Sequence, residues 1–210
     1  MKENRNAPII VGIIIFLAGF LTAIIVLEPV PLQAGNTGNV LETGKHTAET
    51  NIVAVASSGE KGVTSKAVIE ITDGQGRVLF KLNPFVEPDT QFSAETAVKV
   101  AELVTSTSLA NRDVIFEIKE SPAGLIGGPS AGAAMTIAVI AAIQGKQVRT
   151  DAAITGTINE DRSIGQVGGI IEKASAAEQG LKLFIIPKGQ AKLVYYERQD
   201  TQEKNGHSLL

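Results

Sequence analysis

The sequence predicts an α+β domain that is preceded by one transmembrane helix. Residues 7–27 contain no charged side chain and form an apolar run long enough to cross a bilayer. From Asn51 onward, short segments with strand patterns are followed by segments with helical apolar periods and by further short strands. The 210 residues and the formal net charge of −3 fit one domain with a sizeable core.

The N-terminal apolar run is interpreted as an uncleaved membrane anchor. Lys2 and Arg5 precede it, and no Lys or Arg follows before Lys45. Because positive side chains favour the cytoplasmic side, residues 1–6 are expected in the cytoplasm and the remainder of the chain outside it. The alternative is a signal peptide that is cleaved near Ala34, which would release a secreted protein. The run is longer than the usual ~7–15-residue apolar region of such peptides.

A flexible linker is predicted at residues 28–50, which are rich in Gly and Asn and show no sustained apolar period. The folded domain is expected to span residues 51–190, and a short polar tail follows at residues 191–210. Three strands are predicted in the first half of the domain, at Ile52–Ala56, Val63–Ile71 and Val78–Leu82. The last two are expected to form a hairpin across Gly74–Gly76.

The second half of the domain mixes helices with short strands. Helices are predicted at Ala94–Leu109, with Ser93 as a possible N-cap, at Ala131–Ile143 and at Val167–Gln179. Strands are predicted at Asp113–Lys119, after Asp151 and at Leu183–Ile186, the last of them buried. Since the segment Ala131–Ile143 carries no charge and is too short to span a membrane, it is expected to be a central core helix.

One serine stands where a Gly-rich loop meets the uncharged core helix. Pro129 suits the first helical turn, so Ser130 is predicted at a helix N-terminus. Free backbone N–H groups and the positive end of the helix dipole meet there and would stabilise an oxyanion. We interpret Ser130 as a nucleophile. Its oxyanion and substrate loop is predicted to comprise Gly127, Gly128, Pro129 and Ala131.

A nucleophilic serine needs a base, and the composition leaves few candidates. The chain has no cysteine and two histidines, His46 in the predicted linker and His207 in the tail, where an imidazole is poorly held. Lys173 instead shares a predicted apolar helix face with Ile170, Ala174 and Ala177. Burial would lower its pKa from ~10.4 toward the ~7–8 that suits a general base. The alternative is that this lysine reaches the surface from a packing helix.

Four short blocks carry a family resemblance: Gly128–Gly132, Ile154–Gly156, Gly168–Lys173 and Ile185–Lys188. Their order and spacing resemble the proteolytic domain of the Lon peptidases, which use a Ser-Lys dyad and no histidine. The resemblance implies the Lon proteolytic-domain fold, Ser130 as the nucleophile and Lys173 as the general base. It also implies that the Thr155 hydroxyl orients the lysine and that the chain forms homo-oligomers, as hexamers.

The sequence departs from the Lon pattern at two places. The position three before the serine is often acidic in Lon proteases and is Gly127 here. After Lys188 only a short polar tail follows, and the final helical segment of the family is not apparent. The Gly-rich stretch from Glu120 to Gly128 has two interpretations: it accepts a substrate chain as an added strand, or it is a plain connector.

Several classes of function are excluded by absent motifs. The sequence contains no G-x-x-x-x-G-K-[ST] loop, so we expect no ATPase activity and no bound nucleotide. No basic cluster points to nucleic acid, and no metal site or cofactor is expected.

The predicted function is that of a membrane-anchored, ATP-independent serine endopeptidase that hydrolyses unfolded or extended polypeptides. Two alternatives remain open. One is a catalytically silent scaffold or binding module with the Lon fold, and the other is a Ser-Lys amidase that acts on small amides.

Overall fold

The structure is a computed structural model that describes residues 39–56, 59, 61–119, 121 and 125–191. Three α-helices are present in these residues: α1 (Pro88–Thr105), α2 (Gly132–Ile143) and α3 (Ile170–Glu178), with a 3₁₀ turn at Pro129–Ala131 directly before α2. The strands are β1 (Asn39–Val40), β2 (His46–Val55), β3 (Gly62–Asp73), β4 (Val78–Phe80), β5 (Phe85–Val86), β6 (Thr107–Ser108), β7 (Arg112–Lys119), β8 (Leu125–Ile126), β9 (Ala152–Ile154), β10 (Thr157–Ile158), β11 (Ile164–Gly165) and β12 (Leu183–Ile185).

A mixed six-stranded sheet forms the centre of the domain, with the strand order β12-β9-β2-β3-β7-β4. The long strands β2, β3 and β7 are antiparallel, whereas β12, β9 and β2 are parallel, as are β4 and β7. Helices α1 and α2 pack on one face of the sheet, where the main core lies. Helix α3 packs on the opposite face, because Val53 contacts Ala177 of α3 whereas Ile52 belongs to the main core. The predicted α+β class is confirmed.

The predicted membrane span at residues 7–27 lies outside the described residues, as do residues 28–38 of the predicted linker and residues 192–210 of the predicted tail. Among the described residues, no helix combines the length and the apolar character that crossing a bilayer requires.

The predicted linker extends too far toward the domain, because its last residues form a strand. Residues 46–50 are the first half of β2 and pair with β3, from His46 opposite Ile71 to Thr50 opposite Ala67. The side chains that β2 buries in this half are Ala48 and Thr50. A small and a polar residue give no apolar period, so the sequence pattern concealed the strand.

The predicted hairpin between β3 and β4 is wrong. Strand β7 lies between them and pairs antiparallel with β3 and parallel with β4. The connecting residues wrap around the start of β7, where the Asp113 carboxylate accepts hydrogen bonds from the backbone N–H groups of Gln75 and Arg77. Contacts with a strand that follows much later in the chain therefore decide the pairing of β4.

Several boundaries and faces also differ from the predictions. Helix α1 begins at Pro88 rather than after Ser93, because Glu87 and Pro88 supply its start. In α3, Ala174 is exposed and Ala176 is buried in its place. Strand β12 was predicted to be buried, but Leu183 and Ile185 are 40% and 43% exposed because β12 is the edge of the sheet.

Candidate active site

Ser130 lies at the start of a helix, as the sequence predicted. It is the middle residue of the 3₁₀ turn Pro129–Ala131, which leads directly into α2. The preceding Gly128 has φ 90° and ψ 144°, a conformation that glycine adopts readily and other residues rarely do. Pro129 then sets the first helical position. Because α2 is buried along most of its length, the turn that carries Ser130 is fixed to the core.

The end of strand β9 is bonded to the turn that contains Ser130. The backbone carbonyl of Ser130 accepts hydrogen bonds from the N–H of Gly156, at 2.9 Å, and from the Oγ1 hydroxyl of Thr155, at 3.2 Å. The carbonyl of Gly156 in turn accepts from the N–H of Ala133, at 3.0 Å. On its other side, the N–H of Thr155 donates to the carbonyl of Ile185 in β12, at 3.0 Å. Thr155 is therefore held rigidly beside Ser130.

Lys173 reaches the same place from the opposite face of the sheet. Helix α3 packs closely on the start of β3, where a Cβ on Gly62 would lie 1.9 Å from the carbonyl oxygen of Glu172. Lys173 is 4% exposed, so the interpretation that its side chain reaches the surface is wrong. Its Nζ lies 3.5 Å from Oγ1 of Thr155, which is itself 1% exposed.

Thr155 connects the lysine to the serine. Its hydroxyl has a single proton, which it donates to the Ser130 carbonyl, so it acts toward Lys173 as an acceptor. The amine of Lys173 then directs an N–H toward Thr155, and its lone pair remains available. Within the described residues, the connection from Lys173 to Ser130 runs through Thr155, and Ser130 Oγ and Lys173 Nζ do not form a direct hydrogen bond. Catalytic contacts of this kind often tighten only when substrate binds.

The environment of Lys173 favours its uncharged form. Burial lowers the pKa of its amine below the ordinary value, and the opposing effect of the neighbouring Glu172 carboxylate is smaller. Burial is the dominant cause because moving an ammonium group away from water costs more than the one nearby carboxylate returns. The neutral amine is the form that can accept a proton from a hydroxyl.

This shift predicts the pH dependence of any reaction in which Lys173 is the base. The rate kcat/KM should rise with pH as Lys173 loses its proton and should level off below the ordinary lysine pKa of 10.5. Initial rates measured across a buffer series at constant ionic strength provide the test. A profile that still climbs in proportion to hydroxide above that pKa would show that Lys173 is not the titrating base.

A matched pair of variants tests the hydrogen bond between the Lys173 amine and the Thr155 hydroxyl. Thr155→Val keeps the shape and removes the hydroxyl that fixes the Lys173 amine, so kcat should fall by about 10- to 100-fold. Thr155→Ser keeps the hydroxyl and should retain most of the activity. The activity of both variants is measured on the same substrate, and the melting temperature of each is recorded. Equal activity in the wild type and Thr155→Val would show that the Thr155 hydroxyl has no role in the reaction.

The loop before Ser130 is held by the N-terminal part of α1. The Gly128 N–H donates to Oδ1 of Asp89 at 3.1 Å, and the hydroxyls of Thr90 and Ser93 donate to the carbonyls of Gly128 and Pro129, each at 3.2 Å. Sequence reasoning missed Asp89 and Thr90 and assigned Ser93 to a helix cap. These partners are separated from the loop by 36 to 39 residues, and no periodic pattern connects them.

Of the residues predicted to form the oxyanion loop, only some offer a free backbone donor. Pro129 has no N–H, and the N–H of Gly128 is engaged by Asp89. The N–H of Ser130 is the second residue's donor in the 3₁₀ turn and has no helical carbonyl before it as an acceptor. A 3₁₀ turn uses the N–H of its third residue, here Ala131, for a bond to the carbonyl three residues earlier. The Ser130 N–H is therefore the donor best placed to bind an oxyanion.

The departure from the Lon pattern at Gly127 has a spatial explanation. A Cβ on Gly127 would lie 2.0 Å from Oε2 of Glu87, so the Glu87 carboxylate lies against this glycine. A carboxylate is therefore present beside this position, supplied by the residue that precedes α1. Any side chain at position 127 would displace it.

An α+β domain with a serine at a helix start and a buried lysine beside it fits the class of serine hydrolases that use an amine as base. The family model of the Lon protease (S16) C-terminal proteolytic domain matches residues 95–200, just over half of the 210-residue chain. The chain belongs to the Lon protease proteolytic-domain family.

Curated relatives support the same assignment. The chain is 40% identical over 91 residues to Lon protease 1 of Sorangium cellulosum, a match that covers 41% of the chain and 11% of the relative. It is 36% identical over 125 residues to the Lon protease of Azospirillum brasilense, covering 57% of the chain and 15% of the relative. Lon protease homolog 2, peroxisomal, of Caenorhabditis briggsae is 39% identical over 91 residues, a match that covers 42% of the chain and 11% of the relative. The chain thus matches only a small part of the length of these relatives.

Proposed function

We propose that the chain is a membrane-anchored, ATP-independent serine endopeptidase that hydrolyses unfolded or extended polypeptides. The observation that carries the proposal is the buried Lys173, whose Nζ lies 3.5 Å from the Thr155 hydroxyl that bonds to the backbone of Ser130. Membership of the Lon proteolytic-domain family supports peptidase chemistry at this place. Hydrolysis of labelled casein by the full chain in a mild detergent tests it. Turnover of small amides without casein hydrolysis would favour an amidase instead.

The proposed reaction has two steps that share the same lysine. Neutral Lys173 takes the proton of the Ser130 hydroxyl while Oγ attacks the carbonyl carbon of the scissile peptide. The Ser130 N–H at the helix start binds the oxyanion, and the protonated lysine gives its proton to the leaving amine as the C–N bond breaks. Water then attacks the ester while Lys173 takes its proton, and the protonated lysine returns that proton to Ser130 Oγ as the ester C–O bond breaks, which releases the acid and regenerates the serine and the neutral lysine.

We propose unfolded or extended polypeptides as substrates for two reasons. The Gly-rich stretch before Ser130 can accept an extended chain as an added strand, and the proposed enzyme has no ATP-driven unfolding step. A folded protein seldom presents an extended segment to a half-buried serine, whereas an unfolded chain presents many. One test uses a disulfide-bonded protein in its native form and in its reduced, alkylated form, with peptide release measured from each. The alkylated form should be cut at least about tenfold faster. Equal rates would contradict this substrate class.

Independence from ATP is part of the proposal because the sequence contains no G-x-x-x-x-G-K-[ST] loop. Casein hydrolysis should be equally fast with ATP and magnesium and after nucleotide removal by apyrase. A rate that rises on adding ATP would contradict this point.

Membrane attachment is proposed from the uncharged residues 7–27 and from the cations that precede them. Residues 1–6 would then face the cytoplasm and the peptidase domain the opposite side. Protease protection in right-side-out vesicles, with epitope tags at both ends of the chain, tests this orientation. A protected C-terminal tag beside a digested N-terminal tag would contradict it.

Homo-oligomers, as hexamers, are proposed from the family resemblance. Mass photometry of the full chain in detergent tests the proposal, and a monomer at all accessible concentrations would contradict it.

A further inference from the structure

The start of α1 holds the two residues that precede the nucleophile. Thr90 Oγ1 donates to the carbonyl of Gly128 and Ser93 Oγ donates to the carbonyl of Pro129, each at 3.2 Å. Thr90 and Ser93 lie one helical turn apart, so both hydroxyls lie on the same side of α1. Two consecutive carbonyls of the loop before Ser130 (residues 127–129, here called the nucleophile loop) are therefore bound by one helix face.

Both hydroxyls are buried. Thr90 is 2% exposed and Ser93 is 6% exposed. Water has little access to replace these hydroxyls, and an unpartnered carbonyl in such a place is costly. Helix α2 also begins directly against Ser93, because a Cβ on Gly132 would lie 2.6 Å from the Ser93 hydroxyl. The packing leaves the loop little room to shift.

The loop depends on outside contacts for its conformation. Gly128 has φ 90° and ψ 144°, and glycine is the residue with the most alternative conformations available. The Gly128 residue is held on both sides, since its N–H donates to Asp89 Oδ1 and its carbonyl accepts from Thr90. Its orientation sets the direction of Pro129 and hence of the Ser130 hydroxyl and N–H.

We propose that Thr90 and Ser93 are positioning residues for the nucleophile. They fix the peptide groups of residues 128 and 129 so that Ser130 faces the amine of Lys173 and its own N–H faces the oxyanion. This inference rests on the proposed peptidase function and adds two residues that lie before the 95–200 segment matched by the family model. Neither hydroxyl touches the substrate, and both act through the backbone before Ser130.

Three variants of Thr90 and Thr96 test the role of the first hydroxyl. Thr90→Val removes the hydroxyl and keeps the shape, so kcat for a peptide substrate should fall about 10- to 100-fold with KM changed less than about threefold. Thr90→Ser keeps the hydroxyl and should recover activity to within about threefold of the wild type. The matched control is Thr96→Val, because in the part of the chain that the structure describes the Thr96 hydroxyl donates to the carbonyl of Phe92 within α1 and does not contact the loop before Ser130. It should leave kcat unchanged.

Ser93→Ala tests the second hydroxyl in the same assay of the full chain, with melting temperature recorded for every variant. Wild-type kcat in folded Thr90→Val and in folded Ser93→Ala would overturn the inference, as would failure of Thr90→Ser to recover activity. If either Thr90→Val or Ser93→Ala fails to fold, the kcat of the other variant decides the test. If both fail to fold, the two hydroxyls have a structural role and the inference is overturned. If the wild type itself hydrolyses no peptide, the proposed function fails first, and with it the inference.

Discussion

Ser130→Ala should abolish casein hydrolysis by the full chain, with kcat reduced at least about 10³-fold. The substitution removes the attacking oxygen, and no other group of the proposed mechanism can replace it. The fold should be retained, because the contacts that hold this residue use its backbone carbonyl, which accepts from Gly156 and Thr155. A wild-type melting temperature beside the lost activity is therefore expected.

The matched control for this variant is Ser108→Ala. Ser108 is the exposed residue of the short strand β6, and within the described residues its hydroxyl accepts one local hydrogen bond, from the N–H of Ala110. Full activity of Ser108→Ala shows that the assay responds to the position rather than to loss of any hydroxyl. Residual activity of Ser130→Ala within about tenfold of the wild type would place the nucleophile elsewhere.

Lys173→Met should also abolish hydrolysis, and it should raise stability at the same time. Loss of the base is expected to lower kcat by about 10²- to 10⁴-fold. Methionine fills a similar volume without an amine, at a position that is 4% exposed. At pH 7 the free energy of unfolding should increase by about 1 kcal/mol, since catalytic groups are often held at a cost in stability.

The pH dependence of the free energy of unfolding shows whether Lys173→Met stabilises the fold by removing a buried amine or only by packing better. Burial lowers the pKa of Lys173 in the folded state, so the unfolded chain binds a proton more readily. Wild-type stability should therefore gain from this group as pH rises from the lowered pKa toward the ordinary value of 10.5. The advantage of Lys173→Met should shrink over the same range, as measured by urea unfolding at several pH values.

A surface lysine provides the control for both effects. The Lys99 side chain is 62% exposed, and its Nζ lies 3.6 Å from Oε1 of Glu160. Because it is a surface residue, Lys99→Met should change the free energy of unfolding by less than about 0.5 kcal/mol and should leave hydrolysis intact. A Lys173→Met variant that is inactive and much less stable than the wild type would contradict the account, because the lysine would then be needed for folding.

The sequence was sufficient to predict the helix start at Ser130 and to place Lys173 on an apolar helix face, whereas the structure was needed to decide between burial and surface exposure of the lysine. Pro129 and the uncharged helix after it indicated the helix start, and the apolar face of α3 indicated the position of Lys173. These are local patterns, which survive in the fold because the core needs a buried α2 and a packed α3. The family resemblance implied that the Thr155 hydroxyl orients the lysine, and the structure shows that this hydroxyl also bonds to the backbone of Ser130.

Features that depend on distant contacts could not be predicted from local patterns. The hairpin across Gly74–Gly76 was wrong because β7, which begins at Arg112, inserts between β3 and β4. The contacts of Thr90 and Ser93 with the nucleophile loop join residues 36 to 38 positions apart and use hydroxyls, which leave no apolar period. Such contacts are specified by the packed structure as a whole.

The central claim is that neutral Lys173 activates the hydroxyl of Ser130, and covalent labelling tests it most directly. The full chain is treated with a fluorophosphonate, digested with trypsin and analysed by tandem mass spectrometry. The peptide 120–146 contains Ser121 and Ser130 as its two serines, so fragment ions separate them. We expect the label on Ser130 in the wild type and in Lys99→Met, and none in folded Lys173→Met. A label on Ser121 or another residue, or equal labelling of Ser130 without the lysine, would contradict the account.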